Sequence, residues 1–203
     1  FVQIMMRSQL LIAVAYTKIC MLELKKEATY MAARMKPSDI IDRWPKRLEY
    51  TGLEKMLMAL SVAILAATMV RLFMNYDALP AEIPNHYDFN GNVDDVAGKS
   101  SLLILAAVDV VCMFVMLMSG HFPGAINVPV SMLKRPAEDI IHGTRIYLYV
   151  TTVFLVAFFW FIIEATMLVA QGVWMGLPSI GIWSFIALLL GSVGIYFYWL
   201  WRG

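Results

Sequence analysis

Four long apolar stretches divide this chain, and they constrain its fold more than any other feature. A helix that crosses about 30 Å of hydrocarbon at about 1.5 Å per residue needs roughly 20 mostly apolar residues. Such stretches run from about Met56 to Met74, Ser101 to Ser119, Ile146 to Ala170 and Ile180 to Trp201. In the first, "MLMALSVAILAATMV" carries no charge, and Arg71 is near enough to the end for its side chain to snorkel to the interface. With 61% hydrophobic and 15% charged residues, a water-soluble fold would have nowhere to hide this surface. The expectation is an all-α integral membrane protein with four transmembrane helices and a short extracytoplasmic β-hairpin-like loop between the first and second. Residues 54–203 would form the four-helix membrane domain, embedded in a lipid bilayer. Residues 1–53 would be a cytoplasmic or interfacial N-terminal segment.

Lys and Arg in short loops are retained on the cytoplasmic side. Lys46, Arg47 and Lys55 precede the first span, Lys134, Arg135 and Arg145 lie between the second and third, and Arg202 follows the fourth. The opposite loops contain Lys99 alone in the first and neither residue in "QGVWMGLPS". Both termini are therefore expected in the cytoplasm. The loop with Asp77, Glu82, Asp88, Asp94 and Asp95 would face outward, and "YFYWLW" would form an aromatic belt at the inner face. Upstream, "SQLLIAVAYT" is ten uncharged residues between Arg7 and Lys18, too short to span and better suited to an interfacial helix. A start at Phe1 rather than Met points to a fragment or to extra upstream residues, with Met31 or Met35 nearer a natural start.

Between the first two spans lies "IPNHYDFNGNVDDVAGKSS". Asn90-Gly91 is a strong hairpin signal, because both central residues of a type I′ turn need positive φ. "NHYDF" and "NVDDV" would be its arms. Asp88, Asn90, Asn92 and Asp94 alternate and could gather oxygens around a hard cation, but the glycine and distal Glu of an EF-hand are missing, so a turn held by Asx hydrogen bonds is preferred. His86 beside Asp88 is read as a hydrogen-bonded loop residue.

At this loop the sequence resembles a family. "LPAEIPNHYDFNGNVDDVAGKSSL", an apolar span and then "HFPGAINVPV" look like the bacterial membrane domain of unknown function (DUF1648 type) in the N-terminal part of SdpI-type toxin-immunity membrane proteins. The matching positions are Pro80, Ile83, Pro84, His86, Tyr87, Gly91, Asp94, Gly98 and Lys99, followed by Phe122, Pro123, Asn127, Pro129 and Val130. The resemblance implies a non-enzymatic protein of the bacterial cytoplasmic membrane, acting in immunity or in sensing a secreted toxin. Its partners would be a peptide or protein toxin outside and a regulatory protein inside. The expected outer binding residues are Pro84, His86, Gly91, Asp94 and Lys99 from the matching positions and Asp88 from the loop itself, with Asn127 and Pro129 in the inner loop. After "NVPV" the family continues with a Thr-Glu-Glu-Asn type stretch, where this chain reads "SMLKRPAED".

Asp109 falls near the middle of the second span. An Asp there costs about 2.5 to 3.5 kcal/mol, which the surrounding Leu, Ile, Val and Phe offset at about 0.3 to 0.6 each. It is expected to face protein or water, either as a carrier in a small proton- or ion-coupled transporter or as a protonated acid bonded to Ser61 or Thr68. Glu164 is placed near the outer interface, within reach of Arg71. Ala187 and Gly191 offer a small-xxx-small match.

Nothing points to catalysis, a cofactor or a metal. There is no phosphate loop, no Ser/His/Asp order and no His-Glu zinc motif. Cys20 and Cys112 have no paired spacing and read as packing residues. A net charge of +1 speaks against nucleic acid. His121 and His142 read as ordinary inner-loop residues, and "KRPAEDIIHGTRIY" as a short amphipathic surface helix. The oligomeric state has no sequence signature here.

Overall fold

The structure, a computed structural model, describes residues 48–122 and 137–202, together with Leu22 and Lys26. Helix α1 (Gly52–Tyr76) leads into the strands β1 (Glu82–Tyr87) and β2 (Val93–Gly98). Helices α2 (Ser100–His121), α3 (Ala137–Ala170) and α4 (Ser179–Arg202) follow. All four helices are long and apolar enough to cross a membrane. The chain is a multi-pass membrane protein with a two-stranded antiparallel hairpin between its first and second helices. Cys20, the expected interfacial helix, Asn127, Pro129 and Pro136 lie outside the described residues.

Three helix positions follow the apolar stretches closely, and the third does not. Helix α3 starts at Ala137 rather than near Ile146, and its 34 residues extend about 50 Å against about 30 Å of hydrocarbon. The expected surface helix around "AEDIIHGTRIY" is thus the first part of α3, and His142 belongs to a helix instead of a loop. His121, also expected in a loop, is the last residue of α2. The extra turns are anchored where Ile140 and Ile141 pack against Leu200, Leu48 and Trp199. The aromatic run at the end of α4 is therefore partly internal, while Tyr198 and Trp201 remain exposed.

Helix α3 is the hub: α1, α2, α4 and β1 all pack on it, whereas α1 and α2 touch each other far less. The buried face of α1 consists of Glu54, Leu57, Ser61, Leu65, Thr68 and Leu72, at spacings of three or four. Ser61 and Thr68 can lie inside because each hydroxyl donates to its own helix, to Leu57 O and Ile64 O, both at 2.9 Å. Helix α1 begins with a capping box: Thr51 Oγ1 accepts from Glu54 N at 3.2 Å, and Glu54 Oε2 accepts from Thr51 N at 2.6 Å. Close approaches between helices occur at Gly120 with Tyr149, Gly143 with Trp199 and Gly181 with Phe161. The expected small pair shows no such approach, since nothing described lies within 4 Å of a Cβ at Gly191.

The hairpin is seated, not suspended. Ile83 joins Leu72, Leu79, Leu102, Ala106, Ile163 and Met167 in one apolar cluster. Tyr87 joins Ile162, Ala165, Leu177 and Ile182 in another. Its tip is not the type I′ turn expected from Asn90-Gly91, because Gly91 has φ 88° and no other residue of the turn has positive φ. Asp88 N donates to Asn92 O at 2.9 Å and Gly91 N to Asp88 O at 3.0 Å. This is a three-residue loop over Phe89, Asn90 and Gly91 with the glycine left-handed. Leu177 N then donates to Gly91 O at 2.8 Å, tying the tip to the α3–α4 connection.

A methyl group at Gly91 would overlap the Leu177 carbonyl oxygen and would have to adopt a left-handed conformation costing about 1 to 2 kcal/mol. Gly91→Ala is expected to release the tip from Leu177. Hydrogen exchange should then speed up together in residues 88–93 and 175–178, with the centres of α1 and α3 unchanged.

Candidate functional site

The residues expected to form an outer site separate into an exposed set and a structural set. His86 and Asp94 are partners through Nδ1 and Oδ1 on the exposed side of the hairpin. The register runs Glu82 with Gly98, Ile83 with Ala97, Pro84 with Val96, His86 with Asp95 and Tyr87 with Val93. The irregularity between Pro84 and Tyr87 is what brings His86 level with the acidic pair. Asn85 Nδ2 reaches Asp95 at 3.4 Å. Phe89 and Val96, at 71% and 53% exposed, place apolar surface beside these charges.

Asp88 and Lys99 serve the scaffold. Asp88 Oδ1 accepts from Asn90 N and Asn92 N, each at 2.8 Å, and Oδ2 from Asn92 Nδ2 at 3.0 Å. This is the expected Asx arrangement, and it already occupies the oxygens that a cation would need. These bonds, with Asn92 foremost, hold the Asp88 carboxyl below its ordinary 3.8. Lys99 turns back to α1, donating to Tyr76 O at 3.2 Å and lying 4.8 Å above the Tyr76 ring. A cation at the C-terminal end of a helix is favourable, and here it joins the end of α1 to the start of α2. Behind the strands, Tyr87 donates its hydroxyl to Thr166 Oγ1 at 3.3 Å, and burial raises its pKa.

Glu164 is paired with Arg71, which was expected to lie within its reach, through Nε at 3.3 Å and Nη2 at 2.5 Å. The pair is partly exposed and links the hairpin-side ends of α1 and α3. Asp109 is wholly buried, and neither carboxyl oxygen has a hydrogen-bond partner among the described residues. The expected bond to Ser61 or Thr68 is not formed; both hydroxyls donate to α1 carbonyls and neither oxygen meets the Asp109 carboxyl.

At the opposite end of the bundle a polar cluster assembles that the sequence reading missed. Glu54, fully buried, uses Oε2 in the capping box and Oε1 to meet His142 Nδ1 at 2.9 Å. A carboxylate can only accept, so that imidazole nitrogen donates. Arg145, 2% exposed, donates from Nε to Gly120 O at 2.9 Å and from Nη1 to Leu48 O at 3.1 Å. Its guanidinium also lies 4.6 Å from the Tyr50 ring, and the Tyr50 hydroxyl is 2.8 Å from His121 Nδ1. One side chain thus satisfies a carbonyl at the end of α2 and another ahead of α1. The available signal was an Arg followed by an uninterrupted apolar helix, which has the same one-dimensional pattern as an interfacial anchor. Among the described residues no group of three or more His, Cys, Asp and Glu could hold a metal ion.

Two outcomes follow. The folded-state pKa of Asp88 is depressed, so its contribution to the turn is present above its unfolded value and disappears as pH falls through the folded one. Amide protection at Asn90 and Asn92 should therefore persist at pH 4 and fade in more acidic solution, while Asp88→Ala should lack it at neutral pH; hydrogen exchange measures both. Arg145→Ala strands two carbonyls and should lower stability in detergent by about 3 kcal/mol. Arg145→Lys should recover only part of this, since an ammonium lacks the planar fork; thermal unfolding checks the order.

No curated protein matches the chain, and no solved structure does. The match that exists covers the second half of α1, the whole hairpin and α2 as far as the residue before Asp109. It contains Pro84, His86, Asp88, Gly91, Asp94 and Lys99, and it leaves Glu164 and the Arg145 cluster outside. As the loop motif led us to expect, residues 63–108 of this multi-pass membrane protein match the family described as Domain of unknown function (DUF1648).

Proposed function

We propose that this chain is a non-enzymatic protein of the bacterial cytoplasmic membrane that engages a secreted peptide or protein toxin through its hairpin, conferring immunity or sensing the toxin. The observation that supports this most is the two-sided hairpin. One side is locked to the bundle by Ile83, Tyr87 and the Gly91–Leu177 bond, and the other presents His86, Asp94, Phe89 and Val96. A preorganised surface loses little entropy on binding. In this reading the hairpin faces outward and the termini face the cytoplasm. Exposed Lys55 and Arg202 at the far end agree with that orientation, since Arg71 and Lys99 at the hairpin end are engaged with Glu164 and Tyr76. A regulatory protein would meet the cytoplasmic end.

The test is survival of toxin-sensitive bacteria expressing the chain, challenged with a secreted toxin of the kind met by the SdpI-type proteins. His86→Ala and Asp94→Ala are compared with the native chain at matched membrane levels. Protection by the native chain, lost in both variants, is the expected result. No protection by the native chain would remove the immunity reading for that toxin.

A second reading has one observation in its favour, the buried carboxyl of Asp109, which has no partner among the described residues. In a small proton- or ion-coupled transporter, Asp109 would carry the ion. Vesicles containing the purified chain would then collapse an imposed pH or cation gradient, and Asp109→Asn would abolish the flux while leaving hairpin-dependent protection intact.

A further inference from the structure

Beneath the hairpin lies a cleft of about 300 Å³, between β1, the first two turns of α2 and the hairpin end of α3. We propose that it binds a bilayer amphiphile with an uncharged, hydrogen-bonding head and a single apolar tail. The site is independent of what the hairpin's exposed side recognises.

The lining dictates the chemistry. Asn85, Tyr87, Ser101 and Thr166 supply the polar groups on the hairpin side, and none of the described residues lining the cleft is charged. A phosphate or carboxylate head would find no cation there, and an ammonium no anion, whereas a hydroxyl or ester carbonyl would find both donors and acceptors. Farther from the hairpin the walls are Ile104, Leu105, Val108 and Ile162. From Ser101 to Val108 the cleft follows α2 for about 10 Å, which is roughly a third of the hydrocarbon thickness.

Size and depth narrow the occupant further. At about 300 Å³ and open on one side, the cleft has room for part of one apolar chain. An apolar floor does not hold water well, and leaving it empty forfeits the dispersion contacts of its walls. At this depth the molecules at hand are the bilayer's own apolar chains. Entry is open along α2, where Ile104 both lines the cleft and is 65% exposed.

The experiment uses the full chain in lipid nanodiscs with two photoreactive probes of equal tail length. One is a monoacylglycerol and the other carries a sulfonate head. The expected result is preferential cross-linking of the monoacylglycerol to peptides covering residues 101–108 and 162–166, several-fold above the exposed face of α4 around Ile180 and Leu188. Ile104→Trp, which covers the mouth from an exposed position, should reduce that labelling several-fold. Ser101→Ala, which leaves the Tyr87–Thr166 bond in place, should reduce the preference for the uncharged head, and it keeps the inference testable if the first variant does not fold. Equal labelling by both heads, labelling no greater than on α4, or labelling undiminished in a folded Ile104→Trp protein would overturn the proposal.

Discussion

The packing of α3 against the other three helices and β1 is the constraint on which the rest of the structure depends. Lipid tails are as apolar as leucine, so helices in a bilayer gain little from the hydrophobic effect when they meet. What remains is close packing and the satisfaction of polar groups. Helix α3 supplies both along about 50 Å, with Tyr149, Val156 and Ile163 buried on its length. Helices α1 and α2 are neighbours chiefly because both lie on α3, and the hairpin is placed by Tyr87 against its last turns.

Polar groups inside the bundle are handled in two main ways. Hydroxyls on the buried faces return their hydrogens to carbonyls of their own helix, as Ser61, Thr68 and Thr152 do. Charges at the far end are absorbed by backbone termini: Glu54 caps α1, and Arg145 binds the carbonyl of Gly120 near the end of α2. These uses suit a low-dielectric environment, where an unsatisfied polar atom is costly. Asp109 is an exception, as are the hydroxyls of Tyr149 and Thr151, which also lack a hydrogen-bond partner among the described residues. The Asp109 carboxyl lies in the middle of α2 with no partner among the described residues, although the neighbouring helices carry hydroxyls.

The hairpin end is organised by a different division of labour. Residues that look alike in the sequence perform opposite tasks: Asp88 closes the turn while Asp94 stands exposed with His86, and Lys99 holds two helices together. The tip is stiffened by bonds to its own backbone and by one backbone bond to a segment 86 positions away, at Leu177. The family match runs continuously from the second half of α1 into α2. That stretch is a frame and its insert, and neither is complete without the other.

How far the sequence could be read depended on whether a property was local. Length and hydropathy alone determined four spans and the break that holds the hairpin, because crossing hydrocarbon requires a run of apolar residues whatever lies beside it. The nearness of Arg71 to Glu164 was also legible, since two helix ends at one bilayer depth must lie close to the same plane. The start of α3 was not, because "AEDIIHG" is polar enough to look like a loop until Ile140 and Ile141 find Leu200. The turn at Asn90-Gly91 kept its position and changed its type, because that choice rests on Asp88 and on the register of two strands. His142 with Glu54 and Arg145 with Gly120 were decided by tertiary structure alone. Each of those contacts joins separate helices, and a sequence of periods records which face of a helix is buried but not which residue of another helix will meet it.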